Sequence, residues 1–322
     1  MDETKMDDLF LDKDPTTYVP GALAPVVLVA GSKGGAGATT VAITIAELAR
    51  TSGGVPRVTL VDADPTNSHI ATYLRAKTSG QGGSVPTILD GALRKDYRRA
   101  VAQPGIVNAG HSARVPDISM HTVLAPPTVQ YDPTAVSASS YSRALKLLQP
   151  HFDLVVVDIG TLNAHTPTAL QEAFAYPALR TGGWLFLVSN SSRLSVQSAM
   201  DTARLLDKND VVNSQRIFSM INARRGAVDA ASVKTITERM TQFSTPLGAV
   251  DYDEEGIGNR MESGHIPSSH HQMVASLSEA LHTITNYQSF ADLASGKRKP
   301  GERGATVVDS SRRRRLIPSL GR

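Results

Sequence analysis

The densest chemistry in this chain lies in ten residues. Gly31-Ser32-Lys33-Gly34-Gly35-Ala36-Gly37-Ala38-Thr39-Thr40 follows the apolar run Val26-Val27-Leu28-Val29-Ala30 and precedes a stretch with helical apolar spacing at Val41, Ile45, Leu48 and Ala49. Glycines at this density let the backbone turn tightly and aim successive N–H groups at a polyphosphate. A helix starting directly afterwards adds the positive end of its dipole. Lys33, Gly34, Gly35, Ala36, Gly37, Ala38, Thr39 and Thr40 are therefore the expected nucleotide-binding segment, with the Thr39 hydroxyl placed to ligate Mg²⁺. The loop departs from the pattern G-x-x-x-x-G-K-[ST]. Counted from Ser32, Gly37 falls in place, but Ala38 occupies the lysine position, and the nearby lysine is Lys33.

Three further groups sit where strands should end. Val61-Asp62-Ala63-Asp64-Pro65 places two carboxylates two residues apart after an apolar run. Such a pair can face Mg²⁺ or a water beside it, and taken alone it also suits a capped strand–helix turn. Leu154-Val155-Val156-Val157-Asp158 is an apolar run closed by a carboxylate, an arrangement that can hold Mg²⁺ through water. Gly160 follows and has an N–H to offer a phosphate. Ile217 to Ile221 runs into Asn222, whose amide can both donate to and accept from the edge of a base, or simply cap the strand. Ligands of open parallel sheets gather outside the carboxyl ends of strands, so the agreement of four such ends counts for more than any single motif.

The loop resembles that of the MinD and ParA ATPases, the deviant-Walker branch of the P-loop NTPases. Their loop reads K-G-G-x-G-K-[ST]-T. Lys33, Gly34, Gly35, Gly37, Thr39 and Thr40 match it, and Ala38 does not. A small residue at that position also resembles the TadZ/CpaE branch, which positions pilus assembly machinery. The resemblance covers roughly residues 25–290. It implies an ATP and Mg²⁺ site with Thr39, Asp62 and Asp158 on the metal side and Asn222 at the base. It implies catalytic roles for Lys33, reaching across a nucleotide-sandwiched homodimer, and for Asp64, orienting the attacking water. With no lysine at Ala38, hydrolysis is expected to be slow or absent.

The elements that must position these groups follow from apolar patterning. Near-continuous apolar strands are expected at 26–30, 58–61, 154–157, 184–188 and 217–221, with a shorter one at 247–250. Helices are expected at 39–50, 136–148, 166–175, 195–207, 229–242 and 270–290. Strands of this kind separated by helices predict an α/β fold, a mostly parallel central sheet with helices on both faces. Residues 78–118, rich in Gly, Ser and Pro, read as an irregular excursion with a short helix near 89–101.

Composition narrows the function classes. The chain has 322 residues and no cysteine, which removes disulfides, thiolate nucleophiles and Cys-ligated metal. The apolar run near the N-terminus is too short to span a bilayer, and the acidic start lacks a cationic leader region, so a cytoplasmic location is expected. The histidines have no metal-ligand spacing, and neither G-x-S-x-G nor G-x-G-x-x-G occurs. Residues 1–20 carry net charge −4 and read as a flexible acidic arm. Residues 21–293 read as the nucleotide-binding domain, and 294–322 as a basic, disordered tail. Residues 297–322 carry +7, which leaves 21–296 at zero, so the basic isoelectric point belongs to the tail. The run Arg312 to Arg315 is a candidate contact for an anionic membrane surface or DNA. The expected function is an ATP-binding, dimerising switch that positions a pilus, secretion or conjugation assembly through an unknown protein cargo. The alternatives are a ParA-like DNA-partitioning ATPase and a nucleotide-free scaffold.

Overall fold

A computed structural model describes residues 23–223, 230–251 and 253–301. The acidic arm at 1–20 and the Arg312–Arg315 run lie outside the described residues. Eight strands form one sheet: β1 Val26–Gly31, β2 Val58–Asp62, β3 Val101–Ala102, β4 His121–Val123, β5 Leu154–Thr161, β6 Trp184–Asn190, β7 Ile217–Asn222 and β8 Thr245–Val250. Their spatial order is β3-β4-β2-β5-β1-β6-β7-β8. The β3–β4 pair at one edge is antiparallel, and the other pairings are parallel.

Every residue of β1 and β2 is buried, as the unbroken apolar runs require of strands covered on both faces. One face carries Val27, Val29, Leu60, Val156 and Phe186 under helix α1, Ala38–Arg50. The opposite face carries Leu28, Val61, Val155 and Leu187 under α2, Ala138–Leu148, and α3, Arg193–Lys208. Helix α4, Ala230–Met240, brings Met240 to that second face. Helices α5, His271–Thr285, and α6, Gln288–Ala294, close the first face with Leu277, Leu281 and Phe290. The chain leaves β1 through α1 on one face and leaves β5 through the helix at 169–180 on the other, where Phe174 and Leu179 are buried. That divergence opens a crevice above the carboxyl ends of β1 and β5, where ligands of doubly wound sheets lie.

Several expected elements are corrected. The helix expected at 166–175 runs over 169–180 and contains a π-type turn, Gln171–Ala175. Pro177, which has no N–H to give the turn before it, follows that wider turn. The helix expected at 270–290 breaks at Asn286, which adopts φ 57°, a left-handed conformation that asparagine tolerates. The excursion at 78–118 holds the helix Ile88–Arg94, capped by a reciprocal Thr87–Asp90 pair, and a 3₁₀ turn at Tyr97–Ala100 in place of one helix at 89–101. Strands β3 and β4 were not expected. No helix among the described residues is long and apolar enough to cross a membrane.

Candidate nucleotide-binding site

The loop after β1 is held from two sides. The Ser32 N–H donates to the Val188 carbonyl at 2.8 Å, which fastens it to β6. The Ser32 hydroxyl lies 2.9 Å from the carbonyl and 2.9 Å from the hydroxyl of Ser195. Ser198 Oγ donates to the Ser32 carbonyl at 3.0 Å. Beyond Ser32, Lys33, Gly34 and Gly35 are exposed, and Ala36 turns back into the core. Gly37 is the N-cap of α1 at φ 96°, with no side chain to cap the helix. The first-turn N–H groups of Ala38, Thr39 and Thr40 therefore have no capping side chain and lie open to an external anion. A Cβ on Gly37 would displace the Asn222 side chain, and its left-handed φ favours glycine.

Ala38 explains its own departure from the lysine pattern in one respect. Its methyl is only 8% exposed and belongs to the core cluster beneath the loop. No cation stands at that position, and the exposed Lys33 is the loop's basic side chain.

The carboxylates meet as the sheet register dictates. Asp62 on β2 and Asp158 on β5 are directly paired, so both side chains project to the α1 face. Both are buried, at 1% and 2% exposure. Burial, with repulsion from Asp158, pushes Asp62 up to about 8 despite bonds from the Ser68 hydroxyl and the Asp64 N–H. Burial pushes Asp158 up to about 6, against the opposing pull of hydrogen bonds from the Thr39 hydroxyl and the Gly160 N–H. Two desolvated carboxylates and a hydroxyl make a set of hard oxygen donors with an unmet demand for positive charge, which suits Mg²⁺. Among the described residues no group of three or more His, Asp or Glu side chains could hold a metal unaided.

Asp64 stands apart from the buried pair. It is half-buried, accepts from Thr66 Oγ1 at 3.1 Å and packs its carboxylate directly over Gly160. Gly160 adopts φ 66°, and any Cβ there would occupy the space of Asp64. The Gly160 N–H, a candidate phosphate donor from its place after the strand, is instead directed at Asp158 Oδ1 at 3.1 Å. Beside Asp64 opens a cleft of about 430 Å³ lined by Thr66, Tyr131, Thr161, Leu170 and Phe174 among others. At the other flank, Asn222 Nδ2 donates to the Ala36 carbonyl at 3.1 Å. Its sheet partner is Asn190, whose side-chain oxygen accepts from the N–H and hydroxyl of Ser192.

Lys33, the loop, Thr39, Asp62, Asp64, Asp158 and Asn222 are thus all brought to the carboxyl ends of four strands. The bonds of Ser32 to Ser195 and Ser198, and of Ser68 to Asp62, were not expected from the sequence. Ser32 and Ser195 are 163 positions apart, so no local pattern announces them.

No protein-family model matches the chain, and no curated protein matches it by sequence. Solved structures do. A ParA family ATPase from Chlorobium tepidum TLS superposes with TM-score 0.54 at 16% identity, over 84% of this chain and 98% of that one. This chain has the MinD/ParA fold. The MinC:MinD cell division complex from Aquifex aeolicus matches with TM-score 0.54 at 18% identity over 88% and 100%. The septum site-determining protein MinD from Pyrococcus horikoshii OT3, complexed with Mg-ADP, matches with TM-score 0.55 at 15% identity over 86% and 96%. The MinD/ParA fold places its strand ends in the order that gathers the loop and the carboxylates described above.

Proposed function

We propose that this chain is an ATP- and Mg²⁺-binding switch of the MinD/ParA type that dimerises with nucleotide, positions a partner assembly and hydrolyses ATP slowly or not at all. The observation that carries this reading is the uncapped, glycine-opened start of α1 facing the Thr39–Asp158–Asp62 donor set. Nucleotide-bound neighbours of the same fold support it, one with Mg-ADP and one with AMPPNP.

In this reading the N–H groups of the loop and of Ala38 to Thr40 cradle the phosphates. Thr39, Asp158 and Asp62 hold Mg²⁺, which when bound neutralises phosphate charge. Asn222, already fixed against the loop by its bond to Ala36, presents its free oxygen to the base. Lys33 is exposed and free to meet the phosphates of a second copy. Asp64 lies beside an open cleft and orients water. The methyl of Ala38 supplies no charge to a transferring phosphoryl group. Loss of one preorganised electrostatic contact costs about 10²–10³ in rate. The site accordingly senses ATP more than it consumes it.

Steady-state ATP turnover of the purified chain, with Lys33→Ala alongside, tests this. The expected result is turnover far below one per second, lowered further by Lys33→Ala. Fast turnover indifferent to Lys33→Ala overturns the reading.

A further inference from the structure

Away from the nucleotide site, helices α3 and α4 enclose a second groove of about 190 Å³ on the far face of the sheet. Its lining combines the apolar side chains of Met200 and Phe243 with Gln197, Asp201, Arg204, Arg239 and Gln242. Both arginines are exposed. Neither forms an ion pair or hydrogen bond with another described residue. Their neighbours differ in this respect. Lys234, on the same helix as Arg239, pairs with Glu238 one turn on at 3.9 Å. Asp201, one turn before Arg204, accepts from Gln197 Nε2 at 3.0 Å. Two unpaired guanidiniums thus line one groove with a single carboxylate, Asp201, which already accepts from Gln197, so the lining carries an excess of positive charge.

From this groove we infer that the α3–α4 face is a docking site for an acidic peptide segment of a partner protein, whose carboxylates pair with Arg204 and Arg239. Guanidinium forks match carboxylates in bidentate geometry, and arginines beside apolar side chains are the usual anchors of protein interfaces. Apolar partner side chains would pack on Met200 and Phe243. Leu194, 73% exposed, continues the apolar contact along the same helix face, since positions 194, 197, 201 and 204 fall on one side of α3. The groove disfavours a nucleic-acid backbone on two counts: it offers two arginines rather than a stripe, and residues 21–296 carry no net positive charge. The same helix begins with Ser195 and Ser198, which hold Ser32 of the phosphate loop. A partner seated on α3 therefore touches the element that fastens the loop. This names the partner chemistry of the positioning function proposed above, and rests on that reading for its role.

The test is fluorescence anisotropy on the full chain with a labelled Glu-Glu-Leu repeat peptide, a Lys-Lys-Leu repeat peptide and random-sequence duplex DNA. Arg204→Glu/Arg239→Glu and the milder Arg204→Gln/Arg239→Gln are measured in parallel, each checked for wild-type urea unfolding. The expected result is saturable binding of the acidic peptide alone, weakened about tenfold or more by both double variants. Acidic-peptide binding unchanged by both double variants, no acidic-peptide binding at all, or equal binding of the basic peptide overturns the inference. So does DNA binding that the charge reversal abolishes while the peptide is ignored. ATP binding by the charge-reversed variant is measured in the same series. It stays at the wild-type level if the nucleotide reading holds, so failure of either reading shows separately.

Discussion

At the scale of single residues, two glycines carry the geometry of the site. Gly160 lets Asp64 lie over the end of β5, and Gly37 lets Asn222 reach the loop. Both hold left-handed backbone, which costs an alanine about 1–2 kcal/mol. Gly160→Ala should lower urea-unfolding stability by about that amount and displace Asp64, so that any residual ATP turnover falls while ATP affinity changes little. Gly37→Ala should cost similar stability and also break the Asn222 contact, weakening ATP binding. The pair thus separates water positioning from nucleotide binding, read by turnover assays and titration. The placing of Lys33, Thr39, Asp62, Asp64, Asp158 and Asn222 at the carboxyl ends of strands was legible in the sequence, because each lies in the glycine loop or at the end of an apolar run. The close approach of Asp64 to Gly160 was not, since it depends on a backbone angle across two loops. Nor was the burial of the Ala38 methyl in the core beneath the loop.

At the scale of elements, the link from the phosphate loop to α3 runs through buried hydroxyls. Ser195 Oγ meets Ser32 Oγ and accepts the Asn190 N–H at 3.0 Å. Ser195→Ala leaves that buried N–H without a partner and should cost about 1–3 kcal/mol in chemical denaturation. The strand next to the β3 edge gives a pH-dependent counterpart. His121 on β4 packs edge-on against Phe152, and burial pushes its imidazole down to about 4 from an ordinary 6.5. Between those values the unfolded chain binds the proton and the folded chain does not, so this contribution to stability is lost as pH falls from 6.5 to 4. Wild type should therefore gain stability relative to His121→Gln as pH rises through that window, and the difference should level off above it, as followed by thermal unfolding. Six strands were readable beforehand, five of them as near-continuous apolar runs. β3 and β4, with two and three residues, are too short to show a period, and their place in the sheet comes from pairing, β4 with β2 and β3 with β4.

At the scale of the whole molecule, the sheet order places β1 between β5 and β6, and its flanking helices diverge to opposite faces. That topology, common to the MinD and ParA structures it resembles, puts the loop at the centre of one edge with Lys33 facing outward. Addition of ATP and Mg²⁺ should convert the chain from monomer to dimer in sedimentation velocity, and Lys33→Ala should prevent the shift. The central claim is that the loop at 31–40 binds ATP although Ala38 replaces the usual lysine. Isothermal titration of ATP with Mg²⁺ into the full chain, and into Gly37→Ala, tests it most directly. The account predicts one saturable site per chain, weakened about tenfold or more (~1.4 kcal/mol) by Gly37→Ala. Absence of saturable binding at millimolar ATP, or affinity indifferent to Gly37→Ala, would contradict it.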